Sequence, residues 1–389
     1  MEDRRGRRRS LIHGYGAARR ASWLELFFDL VFVVAVFRLG QLLVADPSAR
    51  GVLIFAGLIS AVWWLWFSFS YFADLFDDDR PPSRLVQLTA MLGVLALAAS
   101  LPGASAADAN RFAVTYGLLL VLLAGSYGVV GWIDLEARDF CRWNAGGFLV
   151  AAALWFGSLL APAPGRYAVW AVALVLNAAV AGPLAYALAR RAPTQKSHMP
   201  ERFGLFTIVV LGEAVLAVAN GIDAGGWRPA SVAIGVAGFV IACGIWWVYF
   251  LATYDREAGN RVLQAGRQAI LRSYLYAYGH LVVYAAIVAA GVAVELAAEA
   301  AAGHGPGAVV VGRLLGGSQV AMMTGCVVIY RGISLSVSRP VGLTQAGLAL
   351  VALVVALAGL PPLVAVPLVA VPWVVLTVVE QWSASEMEG

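Results

Sequence analysis

The stretch Trp23-Leu-Glu-Leu-Phe-Phe-Asp-Leu-Val-Phe-Val-Val-Ala-Val36 decides how the rest of the chain is read. With its continuation to Leu43 it is long and apolar enough to cross a bilayer as a helix. It nevertheless carries two carboxylates, Glu25 and Asp29, spaced so that both fall on one helix face. At about 1.5 Å per residue, Asp29 lies roughly 10 Å inside the membrane boundary. An acid at that depth is costly unless it faces protein, water or a partner, which makes it a functional candidate.

Outward from this stretch, apolar runs of similar length follow one another for most of the chain. Hydrophobic residues make up 61% and charged residues 13%, far from the balance of a soluble domain. The expectation is an all-α, polytopic integral membrane protein with about twelve transmembrane helices in two six-helix repeats. A basic cytoplasmic arm, residues 1–21, precedes the first membrane half, 22–189. A polar linker, 190–202, containing Pro193 and Pro200, leads to the second half, 203–381, and a short tail, 382–389. The sixth span is expected at 166–189.

The net charge of +4 is unevenly placed. Arg4, Arg5, Arg7, Arg8 and Arg9 crowd the arm. Arg80, Arg84, Arg138, Arg142, Arg190, Arg191, Arg256, Arg261, Arg267 and Arg272 fall in connections on the same side as the arm. Few basic residues, among them Arg50, Arg111, Arg166, Arg228 and Arg313, fall on the other. This bias predicts both termini in the cytoplasm and a location in the bacterial inner (cytoplasmic) membrane. The basic residues read as topology determinants, and no nucleic-acid partner is expected.

The two halves echo each other. Asp29-Leu-Val-Phe-Val-Val34 aligns with Glu213-Ala-Val-Leu-Ala-Val218, and Trp66-Phe-Ser-Phe-Ser-Tyr-Phe-Ala-Asp74 aligns with Trp247-Val-Tyr-Phe-Leu-Ala-Thr-Tyr-Asp255. Each half would start in the cytoplasm, so the repeats would be parallel.

Trp23-Leu-Glu-Leu-Phe-Phe-Asp-Leu-Val-Phe-Val33 resembles the opening signature of the bacterial low temperature requirement protein A family. Glu201-Arg-Phe-Gly-Leu-Phe-Thr-Ile-Val-Val-Leu-Gly-Glu213 is similar to that family's second signature. The resemblance extends over almost the whole chain after the basic arm. It implies a polytopic membrane protein named for a cold-growth phenotype, and it implies no substrate or reaction.

The candidates for transport or proton binding are Asp29, Glu213, Glu25, His280, Asp74 and Asp255. Asp29 and Glu213 would occupy matching depths in the first helix of each half. Gly212 beside Glu213 offers a place for a neighbouring helix to approach. Glu25 can also cap its helix or meet Arg19 or Arg20. Asp74 and Asp255 close the second helix of each half beside Trp63, Trp64, Trp66, Tyr71, Trp246, Trp247, Tyr249 and Tyr254. The outermost of these rings suit an interfacial belt, while the deeper ones suit packing between helices. His280 lies inside a span, where it either relays protons or packs as a neutral hydrogen-bonded ring. Glu295, Arg38 and Glu380 stand near span ends, where snorkelling is the ordinary outcome. Pro361, Pro362, Pro367 and Pro372 predict a kinked or broken last span.

Cys141, Cys243 and Cys326 stand far apart, without the spacing of a metal site or a disulfide framework. The sequence has no phosphate-binding glycine loop, dinucleotide fingerprint or HExxH. No cofactor, metal site or catalytic residue is expected. The partners are the lipid bilayer and an unidentified small solute or ion. The expected function is translocation of that solute or ion, with proton coupling, through a site between the repeats. An ion channel is one alternative. An intramembrane enzyme or a structural protein of the cold-stress response is another.

Overall fold

The computed structural model describes residues 22–76, 80–105, 109–181, 198–264, 270–334 and 337–388. Among these residues there are thirteen α-helices and no strand. They are α1 (Trp23–Ala45), α2 (Ala49–Leu75), α3 (Pro81–Ser100), α4 (Ala109–Ile133), α5 (Arg138–Gly157), α6 (Gly165–Val175), α7 (Met199–Ala224), α8 (Pro229–Trp247), α9 (Arg256–Gln264), α10 (Ile270–Ala301), α11 (Ala308–Ile333), α12 (Arg339–Ala358) and α13 (Pro362–Glu388). Eleven segments among the described residues are long and apolar enough to cross a membrane. The chain is a multi-pass membrane protein.

The expected sixth span is described only in part. α6 is short, and it passes into a π-helical turn, Leu176–Ala181. The remainder of 166–189 lies outside the described residues, as do the arm and most of the linker. α9 was not expected. It occupies what reads in sequence as a charged connection. Its Ala258 and Val262 are buried, whereas Glu257 and Arg261 face outward. Such a face-divided helix suits the interface between membrane and water.

Local chemistry sets many of the boundaries. Ser22 and Glu25 form a capping box: the Ser22 N–H donates to Glu25 Oε2 at 2.7 Å, and the Glu25 N–H donates to Ser22 Oγ at 3.2 Å. Proline occupies the first turn of α3, α8 and α12, where its missing N–H costs nothing. Gly359 ends α12 in the left-handed region, φ +60°, where a residue with a Cβ is strained. α13 keeps Pro367 and Pro372 inside one assigned helix, so the last span is not broken into separate helices.

The chain divides into two compact units. The first takes the chain up to Ala35, then Ala61–Met199 and Leu263–Ile270. Its core is aromatic. Trp63, Phe67 and Tyr71 stack along α2, with centroids 5.3 and 5.8 Å apart. Trp155 of α5 stacks on Tyr116 of α4 at 4.2 Å, and Phe112 and Trp170 complete the group. Several polar edges in this unit find partners: Tyr116 donates to the Ala61 carbonyl, Trp170 to Ser158 Oγ, and Trp64 to Asn177 Oδ1 on the π turn. Trp63, Trp64 and Trp66 are buried within the fold rather than ranged in a belt.

The second unit takes Val36–Ser60, Pro200–Val262 and the chain from Leu271. Its helices meet through glycines. Carbon added at Gly316 of α11 would lie 2.1 Å from the Ala352 carbonyl of α12, and carbon at Gly244 of α8 would lie 2.7 Å from Trp373 of α13. Without a hydrophobic drive between helices in lipid, such close backbone packing is a main source of association. Trp373 also donates from Nε1 to Gln319 Oε1 of α11 at 2.8 Å.

Candidate functional site

α7 carries the second signature, and within the second unit it lies alongside α10. The Phe203 ring stacks on His280 at 4.3 Å. Tyr284 donates to the Phe203 carbonyl at 2.8 Å and meets Phe206. Carbon added at Gly291 would lie 2.8 Å from Ala214 Cα, and carbon at Gly221 would lie 2.9 Å from Glu295 Cα. These pairs advance together along both helices, so α7 and α10 run parallel. One membrane crossing between them, α8, accounts for that direction.

Glu213 sits on this parallel pair, roughly 21 Å along α7 from its start. It is 5% exposed, so it does not face lipid. Carbon at Gly40, in the C-terminal part of α1, would lie 3.0 Å from Glu213 Oε1, with Val288 and Val292 of α10 just beyond. The absent side chain at Gly40 is therefore what admits the carboxyl. Gly212 does not provide the close approach anticipated for it, because no atom lies within 4 Å of a carbon placed there. Oε2 of Glu213 has no hydrogen-bond partner among the described residues.

Glu295 is the neighbour that the sequence concealed. It does not snorkel: it is 6% exposed. It lies within electrostatic range of both Glu213 and Glu299. Glu213, Glu295 and Glu299 thus form a succession of acids leading toward the C-terminal end of α10. A cation or a proton is attracted along such a row, and two nearby acids that share a buried region do not both ionise freely.

Asp29, in the first unit, has a different setting. It is 2% exposed and accepts a hydrogen bond of 2.8 Å from Trp66 Nε1. It stands about 9 Å from the start of α1, against about 21 Å for Glu213 in α7, so the two acids differ in depth from their helix starts. Both point into protein, as expected, but Asp29 is anchored by an indole.

The other candidates have structural partners. Glu25 is the capping-box acid. Asp74 accepts from the His198 N–H at 2.6 Å. Asp255 accepts from the Ala258 N–H at 2.8 Å and caps α9. His280 is buried, and its Nδ1 lies 2.7 Å from the Tyr276 carbonyl. A carbonyl only accepts, so Nδ1 carries the proton. Tyr276 and Tyr249 meet the imidazole edge-on, and Phe203 covers its face. Arg38 is exposed, consistent with a span-end cation. Arg202, beside the second signature's first acid, is buried at 2% exposure, which its place next to the polar linker did not suggest. Cys141 and Cys326 are buried, and Cys243 is exposed. Among the described residues no group of three His, Cys, Asp or Glu is placed to hold a metal ion.

The family model described as bacterial low temperature requirement A protein matches residues 20–380. An uncharacterized protein of Rhizobium meliloti (strain 1021) is 29% identical over 280 residues, which are 69% of this chain and 67% of that protein. No solved structure matches.

Proposed function

The chain belongs to the bacterial low temperature requirement A family, and from there we propose that it moves a small solute or ion across the membrane, coupled to proton binding at Glu213. The observation that carries this reading is the Glu213 carboxyl: deep in a span, 5% exposed, with one oxygen unpartnered among the described residues. A charged side chain at the centre of a span costs about 3 kcal/mol even on the most lenient scale. A purely structural acid would offset that cost with donors to both oxygens, as buried polar groups ordinarily do. Glu295 and Glu299 extend the acidic path from Glu213 toward one end of α10, which supports exchange with one side of the membrane.

The test is flux. Protein reconstituted in liposomes holding a pH-sensitive dye is challenged with outward gradients of alkali cations, divalent cations and small solutes. At least one gradient is expected to drive saturable proton movement that empty liposomes lack. Proton movement equal to that of empty liposomes under every gradient removes the reading, and single-channel currents without proton movement replace it with a channel.

The proposed topology has two parallel six-helix repeats, residues 22–189 and 203–381, in the inner membrane, with both termini cytoplasmic. The basic residues of the arm and of the connections on its side support it. Reporter fusions at Gly389 and within residues 223–227 are expected to report opposite sides. The same side for both rules the topology out.

A further inference from the structure

The outer face of α1 plays no part in the reading above. Phe27, Leu30 and Val34 are exposed and recur at helical spacing, so an apolar stripe of this span meets hydrocarbon. The next position on the stripe is Arg38, which is also exposed. It makes no hydrogen bond or ion pair among the described residues. It stands about 10 Å along the helix from the Ala45 end. A guanidinium does not escape such a setting by losing its proton.

Water is not within easy reach. Cα–Cβ bonds tilt toward the N-terminus of a helix, so Arg38 sets out toward Val34, away from the nearer end. Arg313, exposed about 8 Å into α11, sets out toward its nearer end and snorkels without turning. Turned back along α1, the Arg38 side chain ends where hydrocarbon gives way to headgroups. The headgroup layer is roughly 5–8 Å thick on each side, and its fixed anions are lipid phosphates. Gln41 lies one turn nearer the Ala45 end on the same face. It is half-buried and has no hydrogen-bond partner among the described residues. Its amide adds a donor beside the guanidinium fork, which matches a phosphate with two parallel bonds.

A second copy of the chain offers no such match. The exposed carboxylates among the described residues are Glu136, Asp223 and Glu257. They lie in connections or in the last turn of α7, not at the depth of Arg38. One uncompensated positive charge is balanced by a lipid of net negative charge, whereas a zwitterionic lipid brings its own cation to compete for the phosphate. We propose that Arg38 and Gln41 bind the phosphate of an anionic phospholipid at the Ala45 end of α1. This site uses none of the residues assigned to proton coupling and stands or falls apart from them.

The experiment is lipid titration of the purified, delipidated full-length protein, read by native mass spectrometry. Phosphatidylglycerol is compared with phosphatidylcholine of the same chains. The tightest phosphatidylglycerol site is expected to bind about tenfold more tightly than the tightest phosphatidylcholine site. Arg38→Gln is expected to remove that preference, Gln41→Ala to reduce it, and Arg313→Gln to leave it. Equal affinity for the two lipids, or a preference that survives Arg38→Gln, overturns the proposal. An equal loss in Arg313→Gln also overturns it, because the lipid then follows surface charge alone. A preference unchanged in Gln41→Ala overturns the two-residue site. A large excess of inorganic phosphate is expected to leave the lipid bound, and its displacement overturns the assignment to lipid in favour of free phosphate. If Arg38→Gln does not fold, Arg38→Lys, which keeps the charge and loses the fork, is titrated instead. A weaker preference is then expected, and an unchanged one overturns the site.

Discussion

Liposomes carrying Glu213→Gln are expected to show no proton-coupled flux, at the level of empty liposomes, while the protein keeps its wild-type unfolding midpoint within a few degrees. The amide has the size of the carboxyl and still accepts a hydrogen bond, but it does not titrate. Stability is spared for a specific reason. Oε2 of Glu213 has no partner among the described residues, and Oε1 packs against the open space at Gly40. Little is stranded when the charge goes. Glu295→Gln is expected to slow flux rather than stop it, because Glu213 remains. Wild-type flux from Glu213→Gln would sink proton coupling at this residue. A collapse of stability without any folded, inactive protein would make the acid structural.

The second large effect concerns Trp66 and Asp29. Trp66→Phe is expected to destabilise the protein by about 1–3 kcal/mol, chiefly by taking a donor from a buried carboxylate. Trp66→Ala adds a cavity, and the loss rises to about 3–5 kcal/mol or more. Asp29→Asn keeps the Oδ1 acceptor that Trp66 uses, so a loss under about 1.5 kcal/mol is expected, with flux largely retained. The decisive measurement is the double-mutant cycle with Asp29→Leu. Once the carboxylate is gone, Trp66→Phe should cost only its packing difference. If Trp66→Phe costs the same with and without the carboxylate, the indole bond contributes nothing to stability. If Asp29→Asn abolishes flux, Asp29 belongs with Glu213 as a working acid.

The contrast between these acids marks where sequence reading stops. Spans were legible because apolar runs bounded by Arg, Pro and Gly leave little choice inside a bilayer. The Ser22 and Glu25 cap was legible as a local pattern. α9 was available in principle: Asp255 as cap, with Ala258 and Val262 one turn apart, make an amphipathic signature. Arg256 and Arg261 in the same stretch favour a charged connection, which hides that signature. Burial of acids was not legible. Asp29 and Glu213 align in sequence, yet one meets an indole distant in the chain and the other meets a glycine. Glu295 and Glu380 stand near helix ends, where a free helix would let them reach water. Only the helices packed around them turn them inward, and no local pattern announces that. The reason Gly212 misled is similar: a glycine beside an acid tells nothing about which face meets a neighbour.

The parallel contact of α7 and α10 carries a mechanical consequence. At Gly291 with Ala214, and at Gly221 with Glu295, backbone meets backbone with no side chain between to act as a bearing. Packed interiors of this kind do not deform continuously. The two helices are therefore expected to travel as one strut, with Glu213 riding on it at a fixed height. On α1, the segment around Gly40 faces this strut, where a carbon at Gly40 would meet Glu213 Oε1 first, with Val288 and Val292 of α10 next. A rocking of that segment by even a fraction of a side-chain width would wet or dry the acid without disturbing the strut.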